Sequence, residues 1–278
     1  MKYFKKKAPK LILIGFTIIS FSAFFSFIKK ENKMIHISRA SEQRIINQGK
    51  FIIRLLPLGK NIPNHKDNGI YQIGRIDHAT LEGGTFVPMH LHHNDEILSY
   101  LRKGKMVHKD SNGNVETVHS KHLMMMNSGS GFYHEEGVPE DGETVEMLQI
   151  FMRPRADELP PKVQFTNLPE SHGINKWRLI GGNEKSDAPL KINTDVLLYD
   201  ATIEKGKVAL PALSGKSGYL YVFDGNIVIP GKDIKLSKGD AIFFEDEELS
   251  VETDNKADLV FFILDKYSAV SKNGLYAH

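Results

Sequence analysis

The sequence contains no cysteine. That absence removes disulfide scaffolds, thiolate metal sites and cysteine nucleophiles, and leaves the redox compartment open. A strong charge of either sign is also missing: 36 Lys+Arg against 34 Asp+Glu give a formal net charge of +2 over 278 residues. Apolar residues at 41% and charged residues at 25% are ordinary for a globular chain, which excludes disordered, collagen-like and wholly membrane-embedded classes. Convincing helical periodicity over about 12 residues is found nowhere. From Gly173 to Ala277 there is no histidine either, so that part of the chain cannot supply imidazole ligands. The length fits two domains of roughly 100–200 residues each.

The small net charge is the sum of two unlike parts. Residues 1–33 hold eight lysines and one acid, Glu31, around an uncharged apolar run of 18 residues from Leu11 to Ile28. Such a run spans about 27 Å as a helix, just short of the roughly 30 Å hydrocarbon core of a bilayer. It is longer than a usual secretory core of about 7–15 residues, and Ser20-Phe21-Ser22 is a poor cleavage site. The segment is therefore expected to be a hydrophobic helix acting as a membrane anchor through residues 11–28, or else an export signal. A non-native extension is the third possibility. Met34 opens MIHISRASEQR, a plausible start for a cytoplasmic protein. Without residues 1–33 the chain carries 28 basic and 33 acidic residues, a net of −5. An acidic body argues against a nucleic-acid partner, because phosphate neutralisation needs clustered Lys and Arg.

From residue 34 onward, short apolar runs rich in Ile, Val, Phe and Tyr alternate with turn residues. Residues 51–58, 96–104, 147–154, 195–203, 218–229, 241–247 and 258–265 read as strands. Asp-Gly at 141–142 and 224–225 and Pro-Gly at 230–231 punctuate them. This pattern predicts an all-β chain of antiparallel strands in a sandwich or barrel. The phrases ILSYLRKGKMVH (97–108) and GYLYVFDGNIVI (218–229) share a strand–Gly turn–strand layout, as a duplicated barrel would. Residues 153–194 are rich in Pro and Gly and poor in apolar runs. The expected division is thus a segment 1–33, a first barrel over 34–160, a connection over 161–194 and a second barrel over 195–278.

Eight of the twelve histidines lie between His78 and His134. In a strand, residues i and i+2 share a face, so His90 and His92 point one way while Leu91 and His93 point the other. Glu96 has matching parity if the strand continues. In NSGSGFYHEEG (127–137), His134 and Glu136 share a face by the same rule. Three imidazoles and a carboxylate around one point suit a divalent transition metal, Fe(II), Mn, Ni, Zn or Cu, with no soft ligand to narrow the choice. His93, His108, His119 and His122 are expected to face solvent and His78 to be an ordinary core or edge residue. The methionines at 124–126 are expected to fill a strand.

The spacing of Gly84, His90-x-His92 and Glu96 resembles the first cupin motif, with Gly104 one residue later than usual. More specifically, PMHLHHNDEILSYLRKGKMVHKDSNGN (88–114) followed by NSGSGFYHEE (127–136) resembles the pirin family of bicupins. MIHISRASEQR and the Pro-rich RADELPPKVQF (155–165) fit the same family. The resemblance implies two cupin-type antiparallel barrels with one metal in the first, held by His90, His92, His134 and Glu136, with Fe(II) the expected ion. In other cupins the first-motif glutamate coordinates, which would promote Glu96; here Glu96 is kept as a supporting group. Leu91, His93 and Glu135 depart from the family pattern and change the rim of the site.

The activity implied for bacterial pirins is a flavonol 2,3-dioxygenase acting on a small planar aromatic substrate and O2. Glu136, or Glu96, is the expected general base, and Phe86, Met106, Phe132 and Tyr133 are candidates for an apolar wall. A non-catalytic metal-binding or redox-sensing interaction protein is the alternative, and a sugar- or acid-modifying cupin a third reading.

Overall fold

The computed structural model describes Met1 and residues 34–278, apart from Asn61 and Asn64. Residues 11–28, and the hydrophobic helix expected there, lie outside the described residues. The expected membrane-anchored or exported location is corrected: among the described residues no helix is long and apolar enough to cross a membrane. Their helical content is one 3-10 turn, Ala40–Glu42.

The remainder is strand and turn, as the alternation of apolar runs and turn residues requires. Eleven strands between Arg44 and Asn167 form one curled sheet. A seven-stranded sheet joins Val196–Ile203, Ser217–Asp224, Ala241–Glu245 and Ala257–Leu264 to strands on either side, and a four-stranded sheet runs through Asn226–Ile229 and Ser250–Thr253. Named strands pair antiparallel, except that Arg178–Gly182 runs parallel to Leu190–Lys191. The two similar phrases form the same device. Glu96–Lys103 turns at Gly104 (φ +72°) into Lys105–Asp110, and Ser217–Asp224 turns at Gly225 (φ +83°) into Asn226–Ile229.

Those phrases are apolar on both faces because both faces are covered. Leu98 and Tyr100 belong to a core shared with Tyr219, Tyr221, Phe223 and Phe262. Leu101 instead joins Met106, Met124 and Met147 inside the eleven-stranded sheet. On the other side, Leu220 and Val222 pack with Ile227, Phe244 and Phe261. Polar groups tie the shared core. Tyr100 donates to Asp200 Oδ2 at 3.0 Å, and Arg178 meets the same carboxylate through Nε at 3.0 Å and Nη2 at 2.6 Å.

The stretch 161–194 is not irregular throughout. Lys162–Asn167 pairs with His122–Asn127, and Arg178–Gly182 pairs with Val196–Ile203. Its runs are too short to register as strands, and partners far away in sequence fix them. Both ends of the described chain also cross between the halves. Met34–Ser38 pairs with Ala241–Glu245, and residues 271–278 return to the eleven-stranded sheet, with Ser271 N–H donating to Pro154 O and Leu275 N–H to His93 O.

Candidate functional site

Two neighbouring strands build the site. Phe86–His92 pairs antiparallel with Phe132–Gly137, so that His90 lies directly opposite His134 and Phe132 opposite His92. Directly opposed residues of an antiparallel pair carry Cβ atoms about 5 Å apart, and i, i+2 alternation adds the third imidazole on the same face. His90 Nε2 stands 3.0 Å from His92 Nε2 and 3.1 Å from His134 Nε2. The turn into the second strand is tight. Gly129 has φ +45°, and a Cβ there would lie 1.8 Å from Leu159 O.

The outer nitrogens fix the tautomers. His90 Nδ1 lies 2.8 Å from Pro88 O, an acceptor only, so this nitrogen carries the proton and Nε2 keeps its lone pair. His92 Nδ1 faces Asp95 Oδ2 at 3.5 Å. His134 Nδ1 lies 3.2 Å from His108 Nδ1, and His108 Nε2 lies 3.1 Å from Asp110 Oδ2. With His108 donating to the carboxylate, its Nδ1 accepts from His134. All three inner nitrogens are then free to donate electron pairs to one point, the arrangement in which a metal-binding histidine is oriented by a group behind it. Burial among the other imidazoles pushes His134 down to about 2, so it is neutral. Burial also lowers His90, and lowers His108 despite its Asp110 partner.

Glu136 follows a β-bulge. The register slips between His134 and Glu136, which sets Glu136 opposite Val87. The side chain is buried; Gln149 Nε2 donates weakly to Oε2 at 3.4 Å, while Oε1 has no hydrogen-bond partner and lies 3.8 Å from His134 Nδ1. Burial raises its carboxyl to about 7. Glu136 groups with His108 and His134, and His90, His92 and His134 form the other cluster of potential ligands.

The structure does not bring Glu96 to this point. The first strand stops at His92, Asn94 takes φ +53°, and a new strand starts at Glu96. Parity therefore does not carry across. Glu96 instead accepts from Asn127 Nδ2, from Asn193 N at 2.9 Å and from Asn193 Nδ2 at 3.1 Å. Burial raises it to about 7, against the lowering effect of these donors.

Other expectations need correction. His108 is fully buried rather than solvent-facing, because the strand Lys105–Asp110 pairs with Phe132–Gly137 and turns it toward His134. His122 is mostly covered as well, its ring stacked on Phe165. Of the expected apolar wall only Met106 lines the cavity beside the histidines. Phe86 and Tyr133 are exposed, and Phe132 packs with Ile97, Met126 and Phe151.

That cavity has a volume of about 290 Å³. His90, His92 and Glu136 open onto it, with Met106, Met147, Phe151 and Tyr276 as apolar walls and Gln48, Arg75, Asp77 and Gln149 as polar ones. Arg75 and Asp77 are paired by two hydrogen bonds of 2.7 Å. Larger clefts of about 560 Å³ beside Arg153 and about 480 Å³ over Asn226–Ile229 do not border the imidazole cluster. Sequence reasoning missed Asp95, His108, Asp110, Arg75 and Tyr276. Only the abundance of histidine near His90 pointed toward any of them.

The donor set fits a divalent metal. Two nitrogens each about 2.1 Å from a shared ion and at right angles stand about 3.0 Å apart, close to the separations found. Imidazole and carboxylate donors take several borderline divalent ions, so the preference for iron gains no support from them.

The Pirin family profile matches residues 64–152, and the profile of the quercetinase C-terminal cupin domain matches residues 179–264. Quercetin 2,3-dioxygenase of Escherichia coli (strain K12) is 25% identical over 232 residues, 83% of this chain and 99% of that protein. A pirin-like protein of Caulobacter vibrioides is 28% identical over 187 residues, 66% of this chain and 78% of that one. The crystal structure of YhhW from Escherichia coli superposes with a TM-score of 0.73 at 25% identity, covering 83% of this chain and 97% of that one. A structure of the bacterial pirin YhhW in complex with nickel(II) gives 0.72 at 24% identity, covering 84% and 99%.

Proposed function

The chain belongs to the pirin family, and we propose that it is a metal-dependent cupin dioxygenase acting on flavonol-type enols such as quercetin. In this reading the half up to residue 160 is a metal-holding barrel and the half from 195 a second barrel without metal. His90, His92 and His134 hold one divalent ion, with Glu136 as the fourth protein ligand or as a base beside it. Nickel(II), present in a relative, is a reasonable first ion to test. The observation that carries the reading is the convergence of the His92 and His134 Nε2 atoms to 3.0 and 3.1 Å from His90 Nε2, at a cavity lined by His90, His92 and Glu136, whose buried Oε1 has no hydrogen-bond partner.

A bound divalent metal supplies Lewis-acid stabilisation of an enolate oxygen. The chain's own residues do the rest. Pro88 O, Asp95 and His108 hold the imidazole tautomers. Glu136 Oε1 accepts the proton of the substrate's enolic hydroxyl. Met106, Met147 and Phe151 exclude water from a flat ring, and Arg75 and Gln149 offer donors to its oxygens. Oxygen uptake on adding quercetin to nickel-, iron-, manganese- or copper-loaded protein tests the proposal. Uptake above the metal-only rate supports it; no uptake with any of these ions removes it.

A further inference from the structure

Beside His92 the cavity is walled by Tyr276, which lies outside both matched family regions, since the second ends at residue 264. Asp95 is fully buried, and its Oδ1 accepts the backbone N–H of Tyr276 at 3.1 Å and of Ala277 at 2.9 Å. Its other oxygen faces His92 Nδ1 at 3.5 Å. Arg153, also fully buried, donates from Nε to Ala277 O at 2.9 Å and from Nη2 to His278 O at 3.0 Å. Asp67 holds the guanidinium through both oxygens at 2.7 and 2.8 Å and takes Lys272 Nζ at 2.6 Å.

The fit is close on the opposite side too. A Cβ on Gly74 would lie 2.4 Å from Ala277 Cα. This docking lays the Tyr276 ring 4.9 Å from the His92 ring and 5.2 Å from Phe151, nearly parallel to the latter at 27°. The Arg75 guanidinium sits 5.6 Å from the centre of the Tyr276 ring.

We propose that residues 271–278 are a strap that completes the metal cavity, and that Tyr276 is its specificity-determining residue, selecting planar rings by stacking. Asp95 is a positioning residue that joins the strap to His92. The substrate half of this proposal rests on the flavonol reading above; the strap itself does not.

Three variants of the full nickel-loaded chain test it. Tyr276→Ala raises KM for quercetin about tenfold while kcat changes less than about threefold, because a stacking surface is lost and the reacting groups stay. Tyr276→Phe keeps the ring and stays near the wild-type KM. Gly74→Ala evicts the strap without touching Asp95 or His92, and reproduces the KM of Tyr276→Ala. Hydrogen exchange gives the second readout. The amides of Tyr276 and Ala277 exchange about a hundredfold more slowly than in a free peptide, and Gly74→Ala abolishes that protection. An unchanged KM in Tyr276→Ala overturns the selecting role. Free-peptide exchange rates in the wild type overturn the strap. Protected amides in a protein that consumes no oxygen with quercetin when loaded with nickel, iron, manganese or copper support the strap and remove the flavonol reading together with the selecting role.

Discussion

His108 stands directly behind His134, Nδ1 to Nδ1 at 3.2 Å, and turns its far nitrogen to Asp110 at 3.1 Å. His134 thus reaches the cluster with its proton held on the outer nitrogen and its lone pair inward. Groups of this kind typically contribute about 10- to 100-fold to metal affinity. His108→Leu is therefore expected to weaken nickel(II) binding by about that factor while the fold is retained, measured by calorimetric titration with circular dichroism as the control. Wild-type affinity in the variant would show that His134 needs no such support.

Glu136 lines the cavity and carries a buried carboxylate oxygen, Oε1, without a hydrogen-bond partner. In Glu136→Gln the three imidazoles remain, so metal is still bound, but no base is left to take the substrate proton. Oxygen uptake with quercetin should fall about 10²- to 10⁴-fold, the usual contribution of a positioned base. An active Glu136→Gln enzyme would move the proton transfer to another group.

Glu96 gives a pH signature independent of the metal. Burial raises it from 4.5 to about 7 in the folded chain. The folded state then binds this proton more tightly than the unfolded one. The group accordingly disfavours folding as pH rises from the unfolded value near 4.5, and the effect levels off above about 7. Over that window the stability of the wild type relative to Glu96→Gln should fall by about 3 kcal/mol, read from urea unfolding of metal-free protein at several pH values. A constant difference would mean that Glu96 takes up its proton at the same pH in the folded and unfolded chains.

Asp200 is fully buried between Tyr100 and Arg178. Removing it leaves the guanidinium without its carboxylate, a change that typically costs about 3–5 kcal/mol. Asp200→Ala should lose that much stability in denaturant unfolding with nickel stoichiometry unchanged. A loss below about 1 kcal/mol would show the pair to be no better than an exposed ion pair.

Much of this was legible in the sequence, for physical reasons. Strands buried on both faces read as continuous apolar runs, so 96–104, 218–229 and 258–265 stand out. The clustering of His90, His92 and His134 was legible because period-two alternation and a glycine turn are local rules. Glu96 was misplaced because the rule was carried across His93–Asp95, where a positive φ at Asn94 breaks the strand. The bulge at Glu136 and the burial of His108 depend on strand pairing, which no local spacing encodes. Tyr276 is docked at the site by Asp95, 181 residues away in sequence, a pairing that no local spacing encodes.

The central claim is that one metal ion is held by imidazoles on two adjacent strands. Elemental analysis of purified protein after nickel loading and desalting, beside a His90→Ala/His92→Ala variant, tests it most directly. About one ion per wild-type chain and almost none in the folded variant is the result predicted from a site that loses two of its ligands. Equal metal content in the two proteins would contradict it.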